Sequence, residues 1–183
     1  MADDRRHPGW GPAACNVWKG MVPTSATRRL DGLSSPRLSY VATLLGLLLI
    51  ALVLWFMGSG EERLDRGTGL VILAAVAAVG TSIVGMIRSR PLRGSGPGAV
   101  AGAYRARTFV RIAVAEWIAL LGFVLFFFTG TSMTYLVAVT LAVPAYAMAA
   151  PTAGDIARHQ EGLNEHGIGI DLLGALLGVR PAG

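Results

Sequence analysis

Glu116 has the clearest chemical potential of any residue in this sequence. It is a carboxylate set in an otherwise apolar run, RIAVAEWIALLGFVLFF, from Arg111 to Phe127. A carboxylate kept from water needs a counter-charge, a hydrogen-bond donor or a proton, because its charged form is costly in hydrocarbon. At about 100° per residue, Ala115, Ala119 and Gly122 form a small-residue stripe beside it, with Arg111 on the far edge of that stripe. Counted by depth along the apolar runs, Thr43, Thr81, Ser82 and Tyr146 fall near its level. These six residues, Glu116, Arg111, Tyr146, Thr43, Thr81 and Ser82, make a candidate ion or proton site in which a desolvated carboxyl exchanges a proton or binds a cation. Glu116 also lies only about eight residues from the end of its run, where Arg111, a hydroxyl or penetrating water can satisfy it with no transport role. The sequence favours that structural role.

Little else reads as reactive. His159 and His166 stand seven apart near Asp155, Glu161 and Glu165, a spacing that sets two imidazoles on one helical face. Gly162 between them argues against a rigid metal site, so solvated histidines and no metal are expected. Cys15 is the single cysteine, which excludes an internal disulfide. The segment GSGPG, Gly94 to Gly98, lacks the Lys-Ser/Thr of a phosphate-binding loop and follows no strand, so it reads as a linker, set in a basic loop from Arg88 to Arg107 whose second half, from Ala99, is open to helix. Without a nucleophile and base pair, an HExxH or paired carboxylates, neither a cofactor nor an enzyme is expected.

The elements that must position these residues follow from hydropathy. The chain has 183 residues, 53% of them hydrophobic and 15% charged, with a mean hydropathy of +0.55, too apolar for an ordinary soluble domain. The net charge of +5 comes from arginines placed beside apolar runs, which indicates topology rather than nucleic-acid binding. Four long runs with few charges occupy about 39–57, 67–87, 108–129 and 131–150. Each is long enough to cross the roughly 30 Å of a bilayer core as a helix. Their continuous rather than alternating pattern excludes a barrel. The expected fold is therefore all-α and polytopic, four transmembrane helices in two antiparallel hairpins over 38–150. A disordered cytoplasmic tail over 1–37 precedes it, with Met21 as an alternative start, and a cytoplasmic tail of short helices over 151–183 follows.

Orientation is read from the arginines. Six Lys/Arg precede the first run and five, Arg88, Arg90, Arg93, Arg105 and Arg107, separate the second from the third, against two in the first outer turn. By the positive-inside rule both termini are cytoplasmic. The five central arginines are candidate contacts for anionic headgroups of the inner leaflet. Within the runs, Ala115, Ala119 and Gly122, Ala77 with Gly85, and Ala138, Ala142 and Ala145 are candidate helix-packing positions.

The stretch from Arg111 to Phe127 resembles the carboxylate-bearing helix of the rotary ATP synthase proteolipid subunit, whose Ala-Glu-x-x-Ala-x-x-Gly pattern is similar to Ala115, Glu116, Ala119 and Gly122. That resemblance implies a proton-carrying role for Glu116, although the proteolipid has two spans rather than four. Small multidrug transporters also have four helices and one membrane glutamate, but theirs lies in the first helix. As a whole the pattern looks most like small bacterial four-helix integral membrane proteins, a likeness that implies no activity. The expectation is a non-enzymatic structural or accessory subunit of the bacterial plasma membrane, as a homo-oligomer or within a larger membrane complex. The alternative is a proton- or cation-coupled transporter or channel element using Glu116.

Overall fold

The computed structural model describes residues 34–58, 60–61, 64–92 and 94–177. Six helices run through them: α1 Ser34–Met57, α2 Arg66–Ser89, α3 Pro97–Thr129, α4 Ser132–Ala149, α5 Ala153–Glu165 and α6 Leu172–Leu177. The four long ones are apolar enough and long enough to cross a membrane. Three of them begin where local chemistry directs them. The Asp65 carboxylate accepts from the Thr68 N–H at the start of α2, and the Thr131 hydroxyl accepts from the Met133 N–H at the start of α4. At the start of α3, Pro97 takes the first helical position, where its missing N–H costs nothing.

Helix α3 begins at Pro97, ahead of the apolar run at about 108. Arg105 and Arg107 lie within it, in the half of the basic loop from Ala99 that the sequence left open to helix. The helix has 33 residues, roughly 50 Å, more than a bilayer core can cover. Helix α1 likewise begins at Ser34, inside the segment expected to be a disordered tail. The rest of that tail, including Met21 and Cys15, lies outside the described residues.

The chain divides into two units. One comprises Thr43–Arg90 and Arg107–Ala150, most of the four spans. Its packing is built from the small residues named above. Ala115, Ala119, Ala138, Ala142 and Ala145 are all fully buried. A β-carbon added at Gly122 would collide with that of Ala138, so glycine here sets the approach of α3 to α4. On α2 the stripe is shifted from expectation. Ala77 is buried, but Gly85 is only half-buried with open space where a side chain would go. The close approach falls instead at Gly80, where an added β-carbon would lie 2.8 Å from Ile118 Cδ1. Larger side chains fill the remainder: Leu54, Phe126 and Tyr135 form one cluster, and Leu73, Leu125 and Ala138 another.

At one end of this unit the two hairpin turns are tied by their backbones. The Gly60 N–H donates to the Gly130 carbonyl and the Leu64 N–H to the Phe128 carbonyl, each at 2.9 Å. Gly130 adopts φ +64°, a left-handed conformation that favours glycine. Around the bundle, large apolar side chains face outward: Phe56 is 80% exposed, Val71 70% and Trp117 69%. Such a surface is unfavourable in water and matches hydrocarbon. The chain is a multi-pass membrane protein.

The other unit comprises the described residues of Met1–Ala42, Pro91–Ala106 and Pro151–Gly183. It has a core of its own, in which Leu92, Val100 and Tyr104 pack with Ile156, Leu163, Leu172 and Leu176. The apolar segment from Ile170 is therefore the missing side of a small folded unit rather than a loose tail. Its six-residue helix α6 is held by Gln160, whose Nε2 donates to the Ile170 carbonyl at 3.0 Å while its Oε1 accepts from the Leu172 N–H at 2.8 Å.

Candidate functional site

Helix α3 positions both Glu116 and Arg111, but it turns them to different neighbours. Glu116 is half-buried and makes no hydrogen bond or ion pair among the described residues. Tyr135 on α4 lies within electrostatic range of the carboxylate. The Tyr135 hydroxyl donates to the Leu47 carbonyl of α1 at 2.9 Å, so it links a third helix to this region. Arg111 is buried and directed elsewhere: its Nη1 donates to the Met148 carbonyl at 3.4 Å and its Nη2 to the Thr108 hydroxyl at 3.2 Å. The guanidinium thus anchors the end of α4 rather than neutralising Glu116.

The other expected partners make no bond to Glu116 among the described residues. Ser82 is exposed, and its hydroxyl donates to the Ala78 carbonyl of its own helix at 2.8 Å, the usual fate of a serine in a span. Thr43 and Thr81 are half-buried and Tyr146 is buried, and no bond joins any of them to Glu116. Depth along the apolar runs does not point to Tyr135, because it takes no account of how far a tyrosine ring reaches.

The five arginines divide similarly. Arg107 Nη1 donates to the Arg90 carbonyl at 2.6 Å, and Arg90 Nη2 reaches the Met86 sulfur at 4.0 Å, which ties the end of α2 to α3 at the level of Arg107. Arg105 Nε donates to the Ala101 carbonyl at 3.4 Å, and Arg88 is half-buried on α2. Arg93 lies outside the described residues.

A second polar group sits in the unit built around α5 and α6. Tyr104 Oη donates to Asp155 Oδ2 at 3.2 Å, and both residues are fully buried. His159, also buried, meets Tyr104 edge-to-face at 5.5 Å and places Nδ1 2.8 Å from the Asp155 carbonyl. A carbonyl only accepts, so this contact puts the proton on Nδ1. His159 is therefore a core residue, whereas His166 matches the solvated reading: it is exposed and bonds to its own helix at the Gly162 carbonyl. What sequence could not reveal is Tyr104, 51 positions upstream of Asp155. The α5 start is reinforced by Thr152, whose hydroxyl accepts from the Asp155 N–H at 3.2 Å.

Chemically, the first site can hold one carboxylate proton, and the second can orient an imidazole inside a core. Among the described residues no group of three His, Cys, Asp or Glu is placed to hold a metal ion. Comparison with known proteins finds no family model, no curated protein and no solved structure that matches the chain.

Proposed function

We propose that this chain is a non-enzymatic structural or accessory subunit of a membrane assembly, resident in a bacterial plasma membrane with both termini on the cytoplasmic side. The observation that carries this reading is the bareness of α1. In its apolar window only 11% of residues are buried, against 44% for α3. Leu45, Leu48, Leu49 and Leu52 project from it along one broad face. Lipid can cover such a face, but it also suits a neighbouring helix, which gains close side-chain packing there. The orientation is supported by the excess of arginine before α1 and between α2 and α3. A photoreactive residue at Leu48, activated in intact cells, tests the proposal. A discrete protein adduct is expected, and adducts with lipid alone would count against it.

Glu116 favours a second reading, a proton-coupled element. It is a half-buried carboxylate inside an apolar span with no ion pair among the described residues, and an ionisable side chain in such a place is a candidate for function. Proteoliposomes carrying wild-type protein and Glu116→Gln separate the two readings. Proton flux lost on substitution supports this one, and no flux from the wild type removes it.

A further inference from the structure

We propose that the outward groove between α2 and α3 binds an anionic phospholipid, with an acyl chain lying over Gly80 and the phosphate held by Arg90 and Arg107. The groove has a volume of about 510 Å³ and an almost wholly apolar lining, with Val76, Gly80 and Ile83 on one wall and Val110, Val114 and Trp117 on the other. That is ordinary for a small-ligand site, yet nothing in the lining recognises a polar ligand. Gly80 forms its floor, since a side chain there would press on Ile118. A flexible hydrocarbon chain is the ligand that such a surface selects.

The cationic groups stand in register with the groove. On α2, Met86 follows the lining residue Ile83 by three positions, and Arg90, just past the end of the helix, reaches back to the Met86 sulfur. On α3, Arg107 precedes the lining residue Val110 by three positions, roughly 4.5 Å along the axis. The 2.6 Å bond from Arg107 to the Arg90 carbonyl then fixes the two guanidinium-bearing segments against each other. Glu116, the one carboxylate of α3, is not in the lining. Apolar walls with two arginines in register beyond one end complement the acyl chain and phosphate of a single lipid. A zwitterionic lipid carries its own ammonium beside the phosphate and gains less there.

Trp117 provides the readout. In full-length protein with Trp10, Trp18 and Trp55 changed to Phe, fluorescence quenching by brominated acyl chains reports which lipid occupies the groove. The protein is placed in vesicles of phosphatidylglycerol and phosphatidylcholine, with one lipid or the other brominated. Quenching is expected to favour brominated phosphatidylglycerol by about tenfold in relative affinity, falling about fivefold for each of Arg90→Gln and Arg107→Gln. Gly80→Leu, which occupies the floor, should reduce quenching by both lipids. If that variant fails to fold, the arginine variants alone decide. Equal quenching by the two lipids, or a preference untouched by both arginine substitutions, overturns the proposal. So does a Trp117 shielded from both lipids, which would place a second copy or another helix in the groove. Loss of the preference on adding inorganic phosphate would also overturn it, by reducing the site to one for a free anion.

Discussion

Replacing Gln160 by alanine should release α6 while leaving the membrane-spanning helices intact. Both ends of the Gln160 amide bridge two segments: Nε2 holds the Ile170 carbonyl and Oε1 caps the Leu172 N–H. A helix of six residues has no stability alone, so α6 depends on this bridge and on burial of Leu172 and Leu176. Two bonds at roughly 0.5–1.5 kcal/mol each give a loss of about 2 kcal/mol, on the order of a thirtyfold rise in the opened population. Hydrogen exchange read by mass spectrometry on protein in nanodiscs measures this directly. Protection across 170–177 should fall by that order while protection in α2 and α4 stays unchanged. Asn164→Ala removes only a bond within α5 and should change exchange in α6 little. Unaltered protection in Gln160→Ala would refute the reasoning, since it would mean that apolar burial alone holds the helix.

Other substitutions test separate parts of the fold. Gly122→Val forces a branched side chain against Ala138 and should cost at least about 2 kcal/mol, seen as a lower Tm in detergent, whereas Gly85→Ala meets open space and should be neutral or stabilising. Gly130→Ala puts a β-carbon at φ +64° and within 2.5 Å of the Gly60 carbonyl, so a loss of about 1–3 kcal/mol is expected in the same assay. Tyr104→Phe strips a donor from the buried Asp155 carboxylate and should destabilise by about 1–3 kcal/mol. Limited proteolysis should then cut sooner within α5 and α6, and an unchanged cleavage rate would argue that the bond contributes little.

Hydropathy made the spans legible because lipid imposes one requirement on every residue of a crossing helix, and Ser132–Ala149 departs from its expected bounds by a residue at each end. The extension of α3 ahead of its apolar run was legible only as an alternative to loop, for the complementary reason. Arg105 and Arg107 break the apolar pattern, and that stretch is helical because Val100 and Tyr104 pack on Ile156 and Leu172, which are distant in sequence. Burial of His159 was hidden likewise, since a lone histidine beside acidic residues reads as solvated until Tyr104 is placed against it. At the candidate site, sequence identified the unusual carboxylate and the small residues around it. It could not show which way Arg111 turns, because a long side chain can reach either end of its helix. Nor could it find the tie between Gly60 and Gly130, which involves no side chain at all.

The 18 residues of α4 measure only about 27 Å from end to end, a little less than the hydrocarbon they must cross. Its companion α2 is a third longer, at 24 residues, and can lean to fit, but a short span with a glycine turn at one end and Pro151 at the other has no slack to give. In a thicker bilayer the lipids beside α4 would draw in toward it, at a cost of fractions of a kcal/mol per ångström, so the span fits best where the membrane is thin.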